Sequence, residues 1–509
     1  MNAASPWTLQ GGDSVASVPR IEDGTAQQQT LWDTLAESEA NVLVEARAGS
    51  GKSSSCREGM FRMLDRHPDL DVRYTVFNKA NADEFRSACP PGVTVGTCHS
   101  LGLQVLRRAR PGLQIDANKT YMLLDGQGDG LTASRWVRRA VSSLVSLAKN
   151  LALRPSQNDL AGRLDQIAEH YDVRLFGRRD EVIDLAIRVL AKSAERLDCA
   201  DFDDMIWLPS VLSMDPLPPA VTFIDEVQDF NPAQHELIPF ISGGGRIVAV
   251  GDRHQAIYAF RGADPQSMPR LRAGLETSEQ GFRQHDLTVT FRCPKSHVAL
   301  AQTYVPDIQA HASNPEGEIE ADLTLDVAMA LAVPGDMVLC PTNAPLIRAA
   351  LSLIRDRRRC VVRGRAIGDS LLAVFRTVRG DSILDKARFV DRWEHEEINR
   401  LAERDGTEDV IESVRDRAAS LQAVISACIS TAQVEPLIGS LFTEDSPSES
   451  AIVFSTIHRA KGLEARKVWL LEQESDGRGK SVWQHQQECN LRYVALTRSK
   501  QFLGLVNPN

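Results

Sequence analysis

At 509 residues the chain is too long for one hydrophobic core, and roughly two to four lobes are expected. A composition of 43% apolar and 25% charged residues is that of an ordinary globular protein, with no run near the roughly 18 apolar residues of a membrane span and no charged-then-apolar leader. The formal net charge of −10 excludes a polycation, so any nucleic-acid contact must come from local basic surface in a groove.

The nine cysteines are scattered without a C-x-x-C pair, which argues against a zinc or iron–sulfur module and predicts a reducing, cytoplasmic location. Residues 1–24 are rich in Ser, Gly, Ala and Pro without periodicity and read as a flexible lead-in. A short helix is expected over Thr25–Leu35, where Gln28 could pair with both edges of an adenine because an amide donates and accepts. The apolar run Asn41–Glu45 predicts a strand. After it, Ala46–Gly51 supplies small residues and glycine, and Lys52-Ser53 opens a helix through Leu64. Strand, glycine-rich turn and helix start are the context of a phosphate-binding loop. Backbone N–H groups converge on an anion only where no side chain blocks the approach, which gives Gly49 and Gly51 their place. The helix N-terminus adds partial positive charge, Lys52 can reach the β- and γ-phosphates, and the Ser53 hydroxyl can ligate Mg²⁺. Ala46 stands where the strict G-x-x-x-x-G-K-[ST] pattern has its first glycine.

Further strand–helix units follow at Val72–Phe77 with Asn78–Arg86 and at Val93–Gly96, and they imply a parallel sheet with helices on both faces. Residues 103–197 are helical in pattern and rich in Arg and Leu, an inserted subdomain. Strand character returns at Ala220–Ile224 and runs into Asp225-Glu226. Two adjacent acids at the end of a buried strand are costly unless they bind metal or do chemistry. Beside a phosphate loop, Asp225 would hold Mg²⁺ and Glu226 would orient and deprotonate the attacking water. A further strand at Arg246–Val250 continues the first set, and strands at Met337–Cys340, Cys360–Arg363, Ile452–Phe454, Lys467–Leu471 and Phe502–Val506, with a helix at Gln486–Lys500, make a second α/β set. The expected fold is therefore α/β, with two parallel-sheet P-loop-type cores. The first spans 25–102 and 198–289 and carries the insertion 103–197. The second spans 290–365 and 450–509 and carries a helical insertion at 366–449.

The chain resembles superfamily 1 DNA helicases of the UvrD/Rep type over Thr25–Val506. The motifs stand in the family's order: Gln28, AGSGKS at Ala48–Ser53, FNKANADE at Phe77–Glu84, TCHSLG at Thr97–Gly102, DFDDM at Asp201–Met205 and DEVQD at Asp225–Asp229. GDRHQAIYAFRGAD at Gly251–Asp264, TFR at Thr290–Arg292, TNAPL at Thr342–Leu346, STIHRAKGLE at Ser455–Glu464 and NLRYVALTR at Asn490–Arg498 follow. The resemblance implies two RecA-like domains with ATP and Mg²⁺ in the cleft between them. Gln28, Ala48, Gly49, Ser50, Gly51, Lys52, Ser53, Phe291 (stacked on adenine) and Glu464 (near the ribose) would bind nucleotide. Gln255 would sense the γ-phosphate, and Arg292 and Arg498 would reach it from across the cleft.

By the same resemblance Asn78, Thr97, His99, Tyr258, Phe260, Arg261, Thr342, Asn343 and His458 line a single-stranded DNA track, with Tyr258 and Phe260 stacking on bases. Single-stranded DNA and 3′-tailed duplex are the implied partners, and the implied polarity is 3′→5′. A DNA-stimulated ATPase that senses ends and regulates a partner nuclease is the alternative. Four departures stand out. Arg47 sits in the phosphate loop where small residues are usual and is expected to point outward or touch DNA. Thr290 replaces the common Asn, Phe260 replaces the frequent Trp, and the second insertion is short.

Overall fold

The computed structural model describes residues 20–507 apart from 77–78, 126–133, 176, 259–263, 265, 378–379, 403–407, 444–449 and 474–481. Two all-parallel sheets dominate it. The first has six strands in the order Thr94–Thr97, Val72–Val76, Val221–Ile224, Ile247–Gly251, Asn41–Ala46 and Phe282–Leu287. Asn41–Ala46 is buried throughout and lies between two partners, pairing Val44 with Val250 on one side and with His285 on the other. Strands buried on both faces read as continuous apolar runs, which is why this one was visible in the sequence. Its carboxyl end feeds the phosphate loop and the helix Lys52–Arg66. The helix Ala26–Glu37 begins at a Thr25 capping box and docks through Trp32, whose indole donates to the Ser55 carbonyl at 3.0 Å.

The second sheet has seven strands in the order Glu318–Thr324, Ser499–Asn507, Ala465–Leu471, Met337–Cys340, Ile452–Thr456, Cys360–Arg363 and Phe442–Thr443. The edge strands Glu318–Thr324 and Phe282–Leu287 were not predicted. Both are largely exposed and polar, so they lack the apolar run that betrays a central strand.

The two insertions differ in kind. Helices within 103–197 share a separate core in which Leu144, Leu164, Val189 and Trp207 are fully buried. A buried ionic network ties that core to the DFDDM motif: Lys119 meets Asp204 at 2.6 Å, and Lys149 meets Asp201 at 2.7 Å and Asp204 at 2.8 Å. Removing one partner of such a buried set typically costs about 3–5 kcal/mol, which gives these acids a structural task. The helices Arg365–Thr377, Ile383–Ala402, Glu408–Ser426 and Val434–Leu441 instead pack on the second sheet itself. Leu371, Val390, Leu421 and Ile438 belong to one cluster with Val338, Val362 and Phe454. Arg400 reaches Asp172 of the first insertion at 3.0 Å, and Arg174 pairs with Glu397. Among the described residues no single helix is long and apolar enough to cross a membrane.

Candidate functional site

The phosphate loop leaves its strand at Ala46 and turns through Gly49 (φ +71°) and Gly51 (φ +79°) into the helix that Lys52 opens. Gly49 is needed for a second reason. A Cβ there would lie 2.6 Å from the Arg292 Cβ and 2.6 Å from Thr290 Oγ1, so the TFR segment rests directly on the loop. Phe291 N–H donates to the Gly49 carbonyl at 2.9 Å, while its ring stays 44% exposed beside His311. Thr290, buried, keeps this segment in shape: its hydroxyl accepts from the N–H groups of Arg292 (3.3 Å) and Cys293 (3.4 Å). Ser50 Oγ is buried on the loop with no protein partner.

Lys52 Nζ lies 2.9 Å from Glu226 Oε1, and Ser53 Oγ donates to Asp225 Oδ2 at 3.3 Å. The two acids sit beyond Ile224, the last residue of their strand. Burial drives Asp225 upward from the ordinary carboxylate range, reinforced by the neighbouring Glu226 charge, while Lys52 opposes. Glu226 goes the other way: although burial penalises its charge, Lys52 and Lys461 hold it at about 2, fully ionised. Lys52 itself rises to about 12 because the surrounding acids outweigh its burial. Glu226 adopts φ 53° and ψ 37°, a left-handed conformation that side-chain-bearing residues rarely accept and that concentrates at functional sites.

The second lobe reaches into this pocket. Arg292 Nε is 2.7 Å from Glu464 Oε2. Arg498 is almost wholly buried and donates to the carbonyls of Val494 (2.8 Å) and Leu463 (3.2 Å). Burial, then the nearby Arg292 charge, lowers its pKa to about 10, and Glu226 lies close enough to act in the opposite sense. The helix expected over Gln486–Lys500 runs Val482–Leu496, so Arg498 occupies the turn beyond it. Lys461, which the motif contained but sequence reasoning passed over, pairs with Asp229 and donates to the Gln255 carbonyl at 2.7 Å. The Gln255 amide donates to Asp252 Oδ2 at 2.8 Å.

Several expected residues are engaged otherwise. Arg47 neither points outward nor offers itself to DNA. It is buried, forks onto Asp307 of the second lobe (Nε to Oδ1 2.8 Å) and lies 3.7 Å from Asp252 and 3.8 Å from Glu45. Asp307 and Asp252, from distant stretches, join the neighbouring Glu45 in a cage that no local pattern announces. The Gln28 amide closes its capping box, accepting from Thr25 N–H at 2.9 Å, and donates to Ser55 Oγ at 3.0 Å. Ala48 N–H is taken by the Tyr493 hydroxyl at 2.8 Å.

Of the strand-track residues, Asn78, Phe260 and Arg261 lie outside the described residues. Thr97 caps the helix Cys98–Ala109 in a box with Ser100, and His99 behind it is half-buried, its pKa lowered by that burial. The Tyr258 hydroxyl donates to the His458 carbonyl at 2.9 Å, with Lys461 Nζ 5.2 Å from the ring centroid. Thr342 accepts from the Gln473 amide at 2.5 Å. Asp416, from the second insertion, takes the N–H groups of Asn343 (2.9 Å) and Ala344 (2.8 Å) and the Asn343 amide (2.7 Å). Carboxylate oxygens thus already occupy the first-turn donors of the helix Asn343–Arg355.

A family model described as the UvrD/REP helicase N-terminal domain matches residues 26–274, and one described as the UvrD-like helicase C-terminal domain matches residues 410–507. The chain is 24% identical over 266 residues to the ATP-dependent DNA helicase Rep of Buchnera aphidicola, covering 44% of this chain and 37% of that one. It is 27% identical over 197 residues to ATP-dependent DNA helicase Rep of Escherichia coli, covering 35% and 27%. It is also similar to F-box DNA helicase protein 1 of Schizosaccharomyces pombe, at 24% identity over 541 residues, 96% of this chain and 58% of that one. In each case the chain matches well under two thirds of the relative's length.

Proposed function

The chain belongs to the UvrD/Rep-like superfamily 1 helicases, and from that footing we propose that it is an ATP-driven single-strand DNA translocase and 3′→5′ helicase. The observation that carries this reading is the seat of the TFR segment on the phosphate loop, with a Gly49 Cβ position only 2.6 Å from the Arg292 Cβ. One lobe supplies Lys52, the other two arginines, and the pocket lies between them. The unpartnered Ser50 hydroxyl and the glycine turn suit a triphosphate, and Ser53 with Asp225 forms a pair of oxygen donors suited to Mg²⁺. When bound there, the ion would neutralise charge on the phosphate oxygens.

The protein's own groups then have definable tasks. Glu226, ionised because Lys52 faces it, can orient a water and accept its proton. Arg292 and Arg498 can stabilise charge on the transferring phosphoryl group, and Gln255 links that event to the Lys461 contact across the lobes. Phosphate contacts from both lobes favour a closed cleft with triphosphate and release it after hydrolysis. The strand would run over Tyr258, Phe260 and Arg261, past Thr97, His99 and Asn78 on one lobe and Thr342, Asn343 and His458 on the other. Alternating grip would move it.

A second reading is favoured by one observation. The short second insertion shares the core of its lobe and is pinned to the first insertion by the Arg400–Asp172 pair. Such an arrangement suits a DNA-stimulated ATPase that senses ends and regulates a nuclease partner without unwinding. Strand displacement on duplexes with a 3′ or a 5′ tail separates the two. The first reading expects ATP-dependent displacement with the 3′ tail, growing with tail length, and little with the 5′ tail. Brisk hydrolysis with no displacement from either substrate favours the second.

A further inference from the structure

We infer that the Tyr493 hydroxyl is a positioning group through which the arginine-bearing end of the second lobe sets both the phosphate loop and Gln255 of the first. The inference rests on the proposal that ATP is hydrolysed between the lobes. Tyr493 stands on the helix Val482–Leu496 with 0% of its surface exposed, and Ala48 and Asp252 are at 1% and 0%. Its hydroxyl accepts from Ala48 N–H at 2.8 Å and donates to Asp252 Oδ2 at 3.3 Å. The same Asp252 oxygen receives the Gln255 amide at 2.8 Å, and the other accepts from His254 N–H at 3.1 Å. On its own side, the Tyr493 carbonyl accepts from Thr497 Oγ1 at 2.9 Å, and that oxygen accepts from Arg498 Nη2 at 2.9 Å.

Two sets of hydrogen bonds therefore meet at Tyr493: its backbone carbonyl is tied through Thr497 to Arg498, and its hydroxyl, at the far end of the ring, is tied to the phosphate loop and, through Asp252, to Gln255. The crossing between the lobes is made at the phenolic oxygen, among buried groups. Separation of the lobes would leave the Ala48 donor and an Asp252 acceptor without this partner. The closed arrangement thus pairs within the protein groups that an open one leaves to solvent. The ring contributes packing against Ala48, Cys293 and Val298, a separate role that phenylalanine would keep.

Tyr493→Phe, Asp252→Asn and the double variant test this in steady-state ATP hydrolysis with single-stranded DNA. Tyr493→Phe should lower kcat by about 10- to 100-fold while shifting KM for ATP by less than about threefold, as expected of a hydroxyl that acts through the Ala48 N–H and Asp252 rather than by binding nucleotide. The two substitutions share the Asp252 contact while the Ala48 contact is lost only with the hydroxyl, so the double variant should lose less than the product of the two single losses. Thermal melting accompanies each variant. A Tyr493→Phe kcat within twofold of wild type, multiplying effects in the double variant, or loss of cooperative melting in Tyr493→Phe would each overturn the inference. Wild-type chain that hydrolyses ATP indifferently to DNA would instead count against the proposed function beneath it.

Discussion

Replacing Arg498 with Ala is expected to lower DNA-stimulated ATP turnover by about 10³–10⁵-fold while leaving nucleotide binding in place, the range seen when a cross-site arginine is removed from phosphoryl transfer. The size of the effect follows from location. Its guanidinium is buried, fixed to two backbone carbonyls and within electrostatic reach of both Arg292 and Glu226. Two cations held close together repel each other, and an anion between them relieves that repulsion. Negative charge that builds up on the transferring phosphoryl group is stabilised there more than the bound triphosphate is, which is the condition for raising kcat. Stopped-flow binding of a fluorescent nucleotide with parallel steady-state hydrolysis separates the two quantities. Turnover within tenfold of wild type would remove Arg498 from the chemistry.

Lys52→Ala is the second large effect, a loss of about 10²–10³-fold or more in turnover with weakened nucleotide binding. Lys52 does two jobs. It faces Glu226 at 2.9 Å and supplies most of the field that keeps that carboxylate ionised at about 2 despite its partial burial. Without it, Glu226 and Asp225 are adjacent buried acids with Lys461 as the remaining nearby cation on Glu226. The general base is then partly protonated and the phosphates lose their principal counter-charge. Hydrolysis followed across pH should show the basal loss and, in addition, an acidic limb moved upward relative to wild type. Wild-type turnover in the variant would mean that the loop does not hold the phosphates.

Much of this was legible in the sequence because the chemistry is local. A buried strand, small residues and Lys-Ser fix the phosphate loop within a dozen positions, and Asp225-Glu226 declare themselves at a strand end. The central strands carried continuous apolar runs, whereas Phe282–Leu287 and Glu318–Thr324, polar edge strands, carried none. What stayed hidden depends on partners remote in the chain. The surroundings of Arg47 are Asp307 and Asp252, and neither is predictable from the loop. Tyr493 and Lys461 stand inside quoted motifs, yet their roles come from oxygens across the cleft, on Asp252 and Asp229. The second insertion read as a helical, charged stretch, and the sequence did not show that apolar faces of its helices complete the core of the second sheet.

The central claim is that two lobes share one ATP and that DNA brings them into working register. ATP hydrolysis by the wild-type chain, titrated with single-stranded DNA at fixed salt, tests it most directly. The rate should rise at least about tenfold to a plateau, and its midpoint should move to higher DNA concentration as salt is added, because each neutralised phosphate releases counterions. A rate that is the same with and without DNA would contradict the account.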